Sequence, residues 1–122
     1  MFKKFKTLKM NKREELILKY ENELKEKLKM DVDSDLLTKV TVGLGPSIYN
    51  ADSSIVSSSD EKELATVKQK FLIEKLGLSD ADALDEAIDS VMELYGKANR
   101  KKYRAVVYYV LVKHFGKEDI YN

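Results

Sequence analysis

Five cations stand within eight residues in the C-terminal quarter of the chain: Lys97, Arg100, Lys101, Lys102 and Arg104, in a run that contains no acid. Guanidinium and ammonium groups at this density can hold a phosphate or a carboxylate through charge-assisted hydrogen bonds. Lys97, Arg100, Lys101 and Arg104 are the candidate anion-binding residues. Two readings of them stay open. Residues 79–96 hold six acids and no cation, so the preceding helix can supply partners within the fold. Alternatively the cluster faces a phosphate or the acidic surface of a partner. The question is sharpened by position, because the cations are expected in a linker and the first turn of a helix, where the macrodipole favours acids. Tyr103 stands among them, but its place on an apolar stripe reads as core rather than as a platform for stacking bases. Five cations with acidic neighbours make a small footprint for nucleic acid.

The other candidates for chemistry read as structural. His114 is the only histidine and there is no cysteine, so the usual zinc sites have no ligand set. A serine triad has no G-x-S-x-G elbow to sit on. His114 therefore reads as a residue near a helix C-terminus, where its charge is favourable. Asp31, Asp33 and Asp35 open like a calcium loop, but the sixth and twelfth positions are Leu36 and Val42 rather than Gly and Glu. They read as a connector and a helix cap. Gly43 to Ser47 matches neither phosphate-loop spacing nor the dinucleotide fingerprint, and reads as a turn. Ser53, Ser54, Ser57, Ser58 and Ser59 read as loop and capping residues. No catalytic residue, metal ligand or cofactor is assigned, and the chain reads as non-enzymatic.

The elements that carry these residues are helical. Asn11 with Glu14 makes a capping box, and Ile17, Tyr20, Leu24 and Leu28 follow as one stripe, predicting a first helix over 11–30. Asp33 or Ser34 caps a second helix with Leu36, Leu37 and Val40 inward, punctuated by Gly43, Gly45 and Pro46. Residues 50–59 are loop. Asp60 with Glu63 reads as a second capping box, opening a helix with Leu64, Val67, Phe71 and Leu72 inward and Gly77 at its end. Ser79 is expected to cap the next helix, with Leu84, Ile88, Val91 and Tyr95 inward and Gly96 as its stop. The last helix is expected from near Asn99 to Gly116. Its middle, Ala105 to Val112, is apolar or aromatic throughout. Four valines and two tyrosines there have strand propensity. The length, the absence of a hairpin partner and the helical surroundings favour a helix, and one apolar all round is central.

Charge is segregated along the chain. The first ten residues carry four lysines and no acid, and the remainder holds 18 cations against 21 acids. Residues 1–10 read as a flexible basic extension and residues 11–122 as one helical domain. Phe2, Phe5 and Leu8 alternate with lysines in that leader, but the segment is too short to bind a membrane surface well alone. No apolar run approaches the ~18 residues of a membrane span, and the N-terminus has no signal-peptide core. The expected compartment is the cytoplasm.

Three runs together carry a family resemblance: GLGPSIYNADSSIVSSSD from Gly43 to Asp60, then Glu63, Leu64 and Val67 with Lys75 to Leu78, then Arg104, Tyr108, Tyr109 and Leu111 with Phe115 to Lys117. In that order they resemble a bacterial family known as domain of unknown function 2853, over residues 36–118. The resemblance implies a small all-helical protein of the bacterial cytoplasm. It implies no catalytic residues, since the family has no assigned activity. The combined expectation is an all-α single domain of about five helices with the apolar C-terminal helix at its centre. Its expected role is a helical interaction module, with an unknown protein partner or a homodimer. The alternative is binding of nucleic acid or another polyanion by residues 97–104.

Overall fold

The structure, a computed structural model, describes residues 10–121. Five α-helices make up most of it: α1 (Lys12–Glu26), α2 (Ser34–Leu44), α3 (Glu61–Thr66), α4 (Asp82–Tyr95) and α5 (Arg104–Phe115). Short 3-10 turns cover Gly45–Tyr49 and Glu118–Tyr121, and α3 runs on into a π-helix over Val67–Lys75. The fold is all-α. Phe2, Phe5 and Leu8, and all of the basic leader except Met10, lie outside the described residues.

Helix α5 is the centre. Every residue from Ala105 to Val112 is buried, with Val107 and Leu111 at 0% exposure. It packs against α1, α2 and α4, and Phe71 of the π-helix stacks on its Tyr108 with ring centroids 3.8 Å apart. Valine and tyrosine are tolerated in this helix because burial on all sides outweighs their small propensity deficit. Its Tyr109 hydroxyl also accepts the Asp33 backbone N–H at 2.8 Å. The core helix thereby fixes the entry to α2.

The caps at three helix starts fall where the sequence places them. Asn11 and Glu14 close a reciprocal capping box on α1. Asp33 accepts from Leu36 N–H, and Asp60 accepts from Lys62 and Glu63 N–H. The second half of the expected Asp60 box is different, because the Glu63 carboxylate is drawn to Arg104.

The π-helix follows from the burial pattern. Val67, Phe71, Leu72 and Leu76 are all buried, at offsets of four and five residues. A turn of slightly more than four residues puts those positions on one line, which an α-turn does not. Its bonds are correspondingly wide: Leu76 N–H donates to Phe71 at 2.9 Å and Leu78 N–H reaches Leu72 at 3.0 Å. The closing motif at Gly77 is thus one residue wider than the usual Schellman pattern.

Two expected helix starts are corrected. Ser79 does not cap α4. The N-cap is Ala81, with no side-chain cap. The chain before it is held by Asp80, which pairs with Lys68 at 2.9 Å, as does Asp85 from inside α4. Likewise α5 starts at Arg104, not near Asn99. Residues 101–103 are extended because they pair with the serine-rich loop. Lys102 C=O accepts from Val56 N–H and Arg104 N–H donates to Ser54 C=O, each at 2.8 Å, and Ile55 and Tyr103 form an antiparallel bridge.

Candidate anion site

The five cations separate once the chain folds. Lys97, just past the α4 C-terminus, pairs with Asp89 at 3.2 Å and Glu93 at 3.8 Å. Arg100 is exposed and makes no ion pair among the described residues. Lys101 is exposed too, on a different side of the linker, in a hollow shared with Lys12, Lys19, Tyr49 and Tyr103. Lys102 turns inward and is 1% exposed. Arg104 goes deepest into the hydrogen-bond network. Its Nε donates to Ser53 C=O at 2.7 Å, Nη1 to the Tyr108 hydroxyl at 3.1 Å, and Nη2 to Ile55 C=O at 3.1 Å and to Glu63. Four of the five N–H groups of a guanidinium are thus used within the fold.

Of the four sequence-predicted anion residues, Lys97 and Arg100 line one cavity, and Lys101 and Arg104 do not. That cavity, of about 510 Å³, lies between the serine-rich loop and the linker. Its remaining polar walls are Ser57, Ser58, Ser59, Asn99 and Lys102, with no acid among the lining residues. The Lys102 ammonium donates to the backbone C=O of Asn99, to that of Lys97 at 3.3 Å and to Ser58 Oγ at 3.4 Å. No carboxylate pairs with it among the described residues. Burial pushes its pKa below the usual lysine range, since a desolvated ammonium without a counter-ion is disfavoured.

A family model described as a protein of unknown function, DUF2853, matches residues 19–119. The chain belongs to that family. No curated protein matches it. The DUF2853 match takes in the serine-rich loop, the linker, Arg104 and Glu63, so both the cavity and the network beside it lie inside the family domain.

The network explains why the three separated runs occur together in this DUF2853 chain. Arg104 binds Ser53 and Ile55 from the first, Glu63 from the second and Tyr108 from its own. One guanidinium ties the loop, α3 and α5 into a unit beside the cavity.

The other sequence candidates are elsewhere. Asp33 caps α2 and Asp35 pairs with Lys39 at 3.1 Å. His114 is exposed in the last turn of α5, edge-on to Phe115. Among the described residues no three His, Cys, Asp or Glu side chains come together to hold a metal, and no helix is long and apolar enough to cross a membrane. Sequence reasoning missed Ser58 and Lys102 as a pair. They are 44 residues apart, and the only local signal was a lysine immediately before the Tyr103 core position, where a tyrosine on the apolar stripe turns its neighbour toward the loop.

Proposed function

We propose that this chain is an interaction module of the bacterial cytoplasm that grips its partner by an anionic group seated between the serine-rich loop and the linker. One observation carries this reading: Lys102 is a buried ammonium with hydroxyl and carbonyl neighbours but no counter-ion, in a cavity that also presents Arg100 and three serines. A phosphate or carboxylate entering there supplies the missing charge, and the serine hydroxyls supply donors of adjustable direction. The polymer alternative draws less support. Lys97 and Arg104 are engaged within the fold and Lys101 faces away, so the cations do not form the continuous stripe that a nucleic-acid backbone follows. The bacterial cytoplasm is supported by the family resemblance and by the lack of cysteine.

The test is a titration of the full chain with inorganic phosphate, followed by amide NMR. Saturable shifts confined to Ser57, Ser58, Ser59, Asn99 and Arg100 are expected, weakened at least threefold in Arg100→Ala. Shifts spread over the surface, or none, overturn the reading. A parallel titration with a short oligonucleotide at two salt concentrations separates the polymer alternative, whose affinity falls steeply with salt.

A further inference from the structure

The cavity holds a contact with chemistry of its own. Lys102 Nζ has three polar neighbours, and two of them, the Asn99 and Lys97 carbonyls, can only accept. As an ammonium Lys102 donates to all three; once it has lost a proton, its amine keeps two N–H donors and one lone pair. With both N–H groups directed at carbonyls, the lone pair is left for the third neighbour, Ser58 Oγ, which is the one group there that can give a proton. The lysine lies behind the serine, almost wholly buried, while Ser58 is half-buried and lines the cavity. An accessible hydroxyl backed by a desolvated amine is the arrangement that activates a serine without a histidine. A third group completes it. Asn99 Oδ1 accepts Lys101 N–H at 3.1 Å, which turns its amide nitrogen away from that bond. That nitrogen has no hydrogen-bond partner among the described residues, and Asn99 lines the same cavity.

We propose that Ser58 and Lys102 are a nucleophile–base pair and that the cavity hydrolyses small carboxylic esters carrying an anionic group. The substrate class rests on the binding reading above, with Arg100, which makes no ion pair among the described residues, receiving the anion. Ser58 Oγ attacks the ester carbonyl carbon and its proton passes to Lys102 Nζ. The Asn99 amide donates to the oxyanion that forms. The C–O bond to the leaving alcohol then breaks, and the alkoxide takes the proton back from Lys102. A water molecule attacks the acyl-serine, again losing a proton to Lys102, which returns it to Ser58 Oγ as the acid departs. Water is the only co-reactant. The depressed lysine pKa places more of the free amine near neutral pH than an exposed lysine offers.

The competing role for Lys102 is mechanical: a staple that holds the linker turn through its carbonyls. Reaction chemistry tells the two apart. The full chain is mixed with the mono-4-nitrophenyl ester of succinic acid and with 4-nitrophenyl acetate. Nitrophenolate release and intact-mass spectrometry are followed together. The expected result is a burst of one nitrophenolate per chain, an acyl group mapped to Ser58, and a rate that rises with pH. The succinyl ester should react at least tenfold faster than the acetyl ester. Ser58→Ala, which leaves Lys102 in place, should slow acylation by ~100-fold or more. Lys102→Met should do the same, and because it can also loosen the linker, the position of the adduct in the unmodified chain is the deciding measurement. An adduct on Lys102 or elsewhere, no burst, or equal rates in Ser58→Ala overturns the pair. Equal rates for the two esters overturn the anionic substrate class. Phosphate binding without acylation sinks this pair alone. Acylation of Ser58 without phosphate binding sinks the binding reading and leaves the pair.

Discussion

Arg104 donates to Glu63 across 41 residues of chain, and in doing so takes from α3 the carboxylate that would have closed its capping box. The exchange is favourable because the guanidinium needs it more. The Arg104 side chain is 12% exposed, that of Glu63 is 25% exposed, and a buried cation without an anion is costly, whereas α3 keeps Asp60 as its cap.

Removing the guanidinium is therefore expected to cost much more than removing a surface cation. Arg104→Met leaves the Ser53 and Ile55 carbonyls and the Glu63 carboxylate without their donor, at ~2–4 kcal/mol. The melting temperature should fall by ~8–16 °C. Arg104→Lys should recover little, because one ammonium cannot span the four acceptors that the planar fork reaches. Thermal melts of the two variants decide it. A loss under ~2 °C in Arg104→Met would mean that the loop holds itself in place.

A second expectation concerns the helix starts. Asn11→Ala and Asp60→Ala each remove an observed cap and should cost ~1 kcal/mol. Ser79→Ala removes a residue that looks like a cap in the sequence but caps nothing, so its effect should stay within ~0.5 kcal/mol. Urea titrations of the three variants check this. A cost for Ser79→Ala equal to that for Asp60→Ala would place the start of α4 earlier than Asp82.

The core offers the third. Leu111 is fully buried in α5, and Leu111→Ala should cost ~2–5 kcal/mol through lost transfer energy and the cavity left behind. Val110→Asp adds a buried charge without a partner and should leave no folded protein at room temperature. A folded, soluble Val110→Asp chain with an unchanged melting temperature would show that this face of α5 is wetted.

How much of this was legible in the sequence depends on the range of the interaction concerned. Asn11, Asp33 and Asp60 declared themselves because a cap acts over three residues. The buried middle of α5 was legible because eight successive apolar positions leave no polar face. The start of α5 was not legible, since what extends residues 101–103 is pairing with Ser54 and Val56 almost fifty residues earlier. The π-helix was hidden because Val67, Phe71 and Leu72 also fit an α-stripe, and only the addition of Leu76 tips the period. The candidate site was half legible. The cations were evident as a group, but their division into a paired Lys97, an interior Arg104, a buried Lys102 and an outward Lys101 is set by the loop that the linker meets. Ser58 carries no local sign of its neighbour at all.

Alkaline pH gives the last expectation, and its sign can be worked out group by group. Burial raises the pKa of Tyr20 to about 12 and that of Tyr121 to about 12. Burial, then the hydrogen bond that its hydroxyl donates to Glu23, raises Tyr95 further. A tyrosine whose folded pKa lies above its unfolded value of 10.0 contributes nothing pH-dependent below that value. Above it the unfolded chain ionises first, so stability is lost as pH rises from about 10 towards 12. Lys68 acts in the same direction. Its hydrogen bonds to Asp85 and Asp80 raise it to about 12 from 10.5, so its contribution is present below 10.5 and fades as pH climbs through 12. Lys102 has the opposite sign. Its folded pKa is depressed from 10.5, so the unfolded chain binds more protons between the two values and stability rises with pH across that window. Together these groups give a stability that climbs on the approach to about pH 10 and falls steeply beyond it. Urea unfolding between about pH 8 and pH 11.5 should trace that curve. Lys102→Met should flatten the rising limb, and Tyr20→Phe should soften the falling one. A flat profile across the whole range, or a falling limb unaltered in Tyr20→Phe, would mean that these side chains meet water in solution.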